Sequence, residues 1–275
     1  MVRSPGRRTT SNDDRPAVSP PRTCTMKSFL RARNSRGRKH FVNGFAYPRT
    51  PILGGIVGST AYDLATANSD QDRLGVYQFT GSELLGLDQP EQSVVEHELS
   101  DVQMHELGKY VRLALKTNPT AYELLWLPTF EVSTPVGDEL VSLRSAFLSA
   151  RYVRDSYLGY ANAQFTKLKG NDYEKFSAGG AGRVRKNARH MFRLIEQGYG
   201  LYTTGVLTIQ VRNRDWFFHQ LPEMTIEQIT TEFERQATLF NDAASVLPEN
   251  ADRARINEFL IRTRRASVSD DAGNK

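Results

Sequence analysis

The chain has 275 residues, 39% hydrophobic and 24% charged, with one cysteine and a formal net charge of +5 at pH 7. This is enough apolar material for one substantial core or two modest ones, and it excludes a fibre, a coiled coil and a disulfide-stapled module. No run approaches the roughly 18 apolar residues of a membrane-spanning helix, and the N-terminus lacks the apolar segment of a secretion signal, so the expected home is the cytoplasm.

The first element read from the N-terminus is a tail. Residues 1–40 hold eleven Lys or Arg against two Asp, a net of +9, so the remaining 235 residues sum to about −4. Residues 1–42 are rich in Pro, Ser and Arg and poor in apolar side chains, and are expected to be a disordered basic tail. It reads as a tether to nucleic-acid phosphates or as an extension without a structural role. Cys24 lies in it, where it can neither bridge to a second cysteine nor serve a folded site.

The pattern then turns to strands and short helices. Ile52-Leu53-Gly54-Gly55-Ile56-Val57 is an apolar run closed by Gly58-Ser59, the mark of a buried strand entering a tight turn. Gly58 lets the backbone approach a ligand, and Ser59 offers a hydroxyl and an N–H to a phosphate oxygen. The residues after it can open a short helix, around Ala61 to Ala65, whose first amides favour anions. Ser69-Asp70-Gln71-Asp72 follows, ahead of the apolar segment Leu74 to Phe79. On an extended chain, residues i and i+2 face the same way, so Asp70 and Asp72 aim two carboxylates at one spot. Hard divalent cations take oxygen ligands of this kind, and a pair of Mg²⁺ ions roughly 3.5–4 Å apart serves phosphoryl transfer. The segment therefore reads as a metal-dependent phosphoryl-transfer site.

A strand over Val94 to Leu99 and a helix from about Val102 to Lys116 come next, the helix stopping near Asn118-Pro119. Tyr122 to Leu127 reads as another short helical piece. Beyond Thr134-Pro135 the periodicity is helical over Val136 to Leu148, Ala150 to Leu168, Val184 to Gln197 and Ile226 to Leu247. Residues 169 to 182, with four glycines, read as a mobile loop. The expected organisation is a tail (1–42), a catalytic domain (43–134), a helical domain (135–265) and a second disordered tail (266–275).

Three segments in order resemble one family. Gly58-Ser59 with Asp70-Gln71-Asp72 resembles the Gly-Ser and Asp-x-Asp signature of the DNA polymerase β-like nucleotidyltransferase superfamily. Leu107-Gly108-Lys109-Tyr110 through Glu123-Leu124-Leu125 resembles a block of a bacterial and phage family of predicted nucleotidyltransferases within it. Lys186-Asn187-Ala188-Arg189-His190-Met191-Phe192-Arg193-Leu194 resembles that family's "K-x-x-x-H-[ML]-x-R-L" helix, with a Leu-x-x-Thr-Gly equivalent at Leu201 to Gly205. The resemblance runs from about Ile52 to about Val211. It implies an α/β (α+β) fold, with a small mixed-sheet catalytic domain followed by a helical C-terminal domain.

It also implies a third carboxylate beside Asp70 and Asp72. Glu96, Glu98 and Asp101 are the candidates, and the resemblance favours Asp101, which could equally cap the following helix by accepting from Gln103 or Met104 N–H. The implied cofactor is Mg²⁺, with Mn²⁺ as the alternative, and the implied substrate is an NTP such as ATP. Gly58 and Ser59, with Lys109, Lys186, His190 and Arg193, are the candidate nucleotide contacts. Lys186, His190 and Arg193 share one helical stripe, a spacing that a solvated basic face also produces. The expected activity moves an NMP from the NTP to a hydroxyl or phosphate acceptor with release of pyrophosphate. RNA, a tRNA end, a protein side chain and a small molecule remain open as acceptors. The alternatives are a catalytically inactive nucleotide- or RNA-binding protein of the same fold, and a toxin–antitoxin nucleotidyltransferase.

Overall fold

The computed structural model describes residues 40–42, 45–88, 90–97, 101–170 and 178–273. Most of the basic tail, Glu98 and part of the glycine-rich loop therefore lie outside the described residues. Residues 40–42 of the expected tail form strand β1 (His40–Val42), paired antiparallel with β2 (Phe45–Tyr47).

A five-stranded mixed sheet carries the rest of the N-terminal half. It is built from β3 (Pro51–Val57), β4 (Asp72–Tyr77), β5 (Ser93–Glu96), β6 (Val102–Glu106) and β7 (Val132–Ser133), in the order β5-β6-β4-β3-β7. Only β4 and β6 run parallel; the other neighbours are antiparallel. Gly54 and Gly75 lie opposite one another across β3 and β4, and a methyl at either would press on the ring of Tyr47. The paired glycines make room for Tyr47 to cross the sheet and donate its hydroxyl to Glu131 Oε2 at 2.8 Å.

Strand β6 corrects the expected helix from Val102. Val102, Met104 and Leu107 fit a helical stripe on paper, but Val102 and Met104 also alternate with exposed Gln103, and the open edge of β4 supplies the pairing partner that decides the choice. The helix is shorter, α3 (Leu107–Leu115), and its N-cap is Glu106, which accepts from Lys109 N–H. Asp101 therefore does not cap a helix; it stands at the entrance to β6.

The connections are short helices: α1 (Gly58–Ala61) between β3 and β4, α2 (Gly81–Leu85) after β4, then α4 (Pro119–Tyr122) continued by a 3₁₀ turn over Glu123–Trp126. The C-terminal half is helical: α5 (Pro135–Ser142), the long α6 (Ala150–Gly170) and α7 (Ala178–Thr204), α8 (Ile226–Asp242) and α9 (Arg253–Gly273). Residues 178–182 of the expected loop are thus the first turn of α7. A continuous core joins sheet and helices, with Leu53, Leu74, Tyr110 and Leu124 packed with Tyr157, Phe192 and Phe240. A smaller cluster of Tyr47, Tyr77, Phe79, Val102 and Met104 is separate.

The expected disordered tail at 266–275 is corrected over its described part, because α9 extends to Gly273. Ile256, Phe259 and Thr263 are buried, and beyond them the helix lies on α2. Ser267 Oγ donates to Phe79 O at 2.8 Å, and Ser82 N–H donates to Asp271 Oδ2 at 2.7 Å. The mean apolarity of α9 is low because only one narrow stripe is covered.

Candidate active site

The site follows from the β3–β4 hairpin. Val57, the last residue of β3, is directly opposite Asp72, the first of β4, so the turn leaving one strand stands beside the carboxylate opening the other. Gly58 has φ +69°, in the left-handed region, and a side chain on it would collide with the Asp72 carboxylate. Both facts require glycine. Asp70 is exposed in the loop just ahead of β4, so the two aspartates do not share one strand as expected, yet both line the same cleft as Ser59.

Strand β6 brings in the third acid. Arg73 pairs with Val102, and Arg73 N–H donates to Asp101 O at 2.8 Å, which sets Asp101 beside Asp72 on the adjacent parallel strand. Asp101 lines the cleft and shares its Oδ1 with His97 Nδ1 at 2.6 Å. Glu96 ends β5 opposite Val102 and is not among the cleft residues. Partial burial pushes the Asp72 carboxyl up; the Asp101 charge reinforces this, Lys186 opposes it, and Asp70 adds to it. Three carboxylates thus line one cleft of about 810 Å³, and the charges of Asp101 and Asp70 both reach Asp72.

Their chemistry fits a hard divalent cation: the donors are carboxylate oxygens, and a cation would relieve the mutual repulsion that Asp72 experiences. Among the described residues no three acidic, histidine or cysteine side chains form a ready-made metal-holding group. The fit therefore rests on donor type and shared field.

The opposite wall is α7. Lys186, Arg189, His190 and Arg193 all line the cleft. Arg189 was not among the residues singled out in the sequence, although its i+3 spacing from Lys186 puts it on the same face. His190 is half-buried; burial, and then the neighbouring Arg193, Lys167 and Lys186 charges, lower its pKa to about 3, so the ring is neutral near pH 7. Lys109 is not among the cleft residues; it lies on α3, where its charge helps burial hold His105 down at about 4.

Arg193 reaches the cleft but is already engaged. It is 1% exposed, its Cζ sits 3.8 Å from the centre of the Tyr62 ring, and its Nη1 donates to Gln197 Oε1 at 2.6 Å. Nη1 also lies 4.0 Å from Oε2 of Glu123, a carboxylate that is itself buried. Tyr62 O–H donates to Glu123 at 2.5 Å, and the Gly58 N–H supplies a further hydrogen bond. Burial raises the Glu123 carboxyl to about 7 against these opposing influences, Arg193 the largest of them. Glu123 and Arg193 thus tie the Gly-Ser turn to α7 across the floor of the cleft.

The model of the RNA repair pathway DNA polymerase beta family, RlaP, matches residues 48–214. The chain belongs to the RlaP family. The matched span holds the Gly-Ser turn, all three aspartates, Glu123 and the basic face of α7. A family of the polymerase β type supports nucleotidyltransferase activity, and its description connects RlaP proteins with RNA repair. The match stops before α8 and α9. No curated protein matches the chain. Among the described residues no helix is long and apolar enough to cross a membrane.

Proposed function

We propose that the chain transfers a nucleoside monophosphate from an NTP to a hydroxyl or phosphate group at an RNA end, with release of pyrophosphate. The observation that carries this reading is that Asp70, Asp72 and Asp101 line the same cleft as Lys186 and Arg189 of α7. An NTP needs both, because its triphosphate charge must be neutralised while an acceptor oxygen approaches the α-phosphorus.

Asp70, Asp72 and Asp101 would hold Mg²⁺, or Mn²⁺ in its place, which supplies Lewis-acid stabilisation of the phosphate oxygens and activation of the acceptor. Ser59 binds a phosphate oxygen through its hydroxyl, on a turn held rigid by Glu123 and by the left-handed backbone of Gly58. Lys186 and Arg189 neutralise charge that accumulates on the departing pyrophosphate. His190, neutral, exchanges hydrogen bonds without adding charge. Arg193 keeps α7 at a fixed distance from the turn and acts as a positioning residue.

The test is incubation with Mg²⁺, each α-³²P-labelled NTP in turn and total cellular RNA plus lysate protein, beside an Asp70→Asn/Asp72→Asn variant. Label on an RNA band that the variant fails to produce supports the reading. Equal labelling by the variant, or no labelling of RNA by the wild type, contradicts it.

A further inference from the structure

A second cavity, of about 380 Å³, touches a different set of α7 residues from the cleft and is lined by Tyr199, Trp216 and Phe217 with Glu196, Arg212 and Asn213 among its polar groups. The segment 209–216 joins it to the cleft. Val211 N–H donates to Tyr62 O at 3.1 Å on the cleft side, and Arg212 N–H donates to Glu196 Oε1 at 2.8 Å on the cavity side. One π-helical turn, Trp216–Gln220, supplies Trp216 and Phe217 to the cavity and Phe218 to Arg189, a residue that lines the cleft.

The ring of Phe218 is bracketed by two guanidinium groups, Arg189 at 5.0 Å and Arg214 at 4.4 Å. Arg189 lines the cleft, and its Nε is buried with no protein partner among the described residues. Arg214 is half exposed and is held on its other side by Asp63, through a 3.0 Å hydrogen bond to the carbonyl and a 3.4 Å ion pair. Residues 209–218 thus link cleft, cationic ring and aromatic cavity into a candidate track.

From this juxtaposition we propose that the track holds single-stranded RNA upstream of the reacting end: its phosphates pass over Arg214 and Arg189, and one base enters the cavity against Trp216 and Tyr199. Alternating arginines and aromatic faces are what a single strand requires, because phosphates need positive charge and every base has a stackable face. Glu196 accepts from Arg212 N–H and Glu232 pairs with Arg235 at 2.6 Å, and the remaining lone pairs of these carboxylates suit the amino groups of a base edge. A duplex cannot present an unstacked base, which excludes it. The inference rests on the reading that an RNA end enters the cleft.

Binding is measured apart from transfer, on the full chain, by anisotropy of a fluorescein-labelled 12-nucleotide single-stranded RNA across a salt series, with calorimetric titration of ATP as the second readout. Arg214→Ala should weaken RNA binding and reduce the slope of log affinity against log salt by about 0.7, one phosphate contact, with ATP binding unchanged. Trp216→Leu, which keeps the site apolar, should weaken RNA binding about ten-fold. If Trp216→Leu fails to fold, Arg214→Ala and the exposed Tyr199→Ala decide. Wild-type affinity and salt slope in both of those variants overturn the track, as does preference for a duplex of the same sequence. Transfer to a protein or small molecule with no RNA bound overturns the track and leaves nucleotidyl transfer standing. Track-dependent RNA binding without any transfer keeps the track and removes the transferase reading.

Discussion

Glu123→Gln probes the internal frame of the cleft, because the amide keeps the shape and the Tyr62 hydrogen bond while removing the charge. The wild-type carboxyl is raised by burial from 4.5 to about 7. Between these two values the folded protein keeps a proton that the unfolded chain has released, so stability falls as pH rises through the window and levels off above it. The full displacement corresponds to about 3 kcal/mol. His190 and His105, held down at about 3 and about 4, act oppositely: the unfolded chain takes up protons near 6.5 that they refuse, and stability rises with pH. The raw profile therefore mixes both signs, and the difference between wild type and Glu123→Gln isolates the glutamate. Urea unfolding at half-unit steps from pH 4 to 8 should show wild type losing about 3 kcal/mol relative to the variant between roughly pH 4.5 and 7.5. Removal of the acceptor altogether, in Glu123→Ala, strands Arg193 as a buried charge and should cost about 3 kcal/mol or more near pH 8. Parallel stability profiles for wild type and Glu123→Gln would refute the assignment of a raised, buried carboxyl.

Three further outcomes follow from the geometry. Gly58→Ala should lower stability by about 1 kcal/mol, from the left-handed backbone, while displacing Asp72 enough to reduce transfer about 10²-fold; comparison of melting temperature with turnover separates the two. Asp101→Asn should reduce transfer about 10²-fold and Glu96→Gln should leave it near wild type, which single-turnover rates on the same RNA will check; the reverse order would move the third carboxylate to Glu96. Ending the chain at Arg265 removes the Ser267 and Asp271 hydrogen bonds to residues 79 and 82, and should cost about 2 kcal/mol, or a melting temperature lower by about 4–8 °C.

The parts legible in the sequence were those whose meaning is local. Gly58-Ser59 and Asp70-x-Asp72 could be read because a turn and a short spacing carry their chemistry within a few residues, and the family match spans both. Strand β6 was hidden because its five residues, alternating in burial only over Val102–Met104, run directly into an amphipathic helix, and the edge of β4 that decides the matter lies far upstream in the chain. The last turns of α9 were hidden because their contacts, Phe79 and Ser82, come from the other end of the chain. Glu123 stood in the sequence only as the acid of a family block, with no role attached; that role appears when Tyr62, Gly58 and Arg193 close around it. Arg189, by contrast, was available in the helical period from Lys186 and needed only its stripe to be read through.

The central claim is transfer of the α-phosphoryl group with its nucleoside. The most direct measurement compares α-³²P- and γ-³²P-labelled forms of each NTP in single turnover on an RNA acceptor, with wild type and Asp70→Asn/Asp72→Asn. The account predicts acceptor labelling from the α-labelled NTP only, release of the γ-label as pyrophosphate, and neither product from the variant. Acceptor labelling from the γ-position, or equal turnover by the variant, would contradict it.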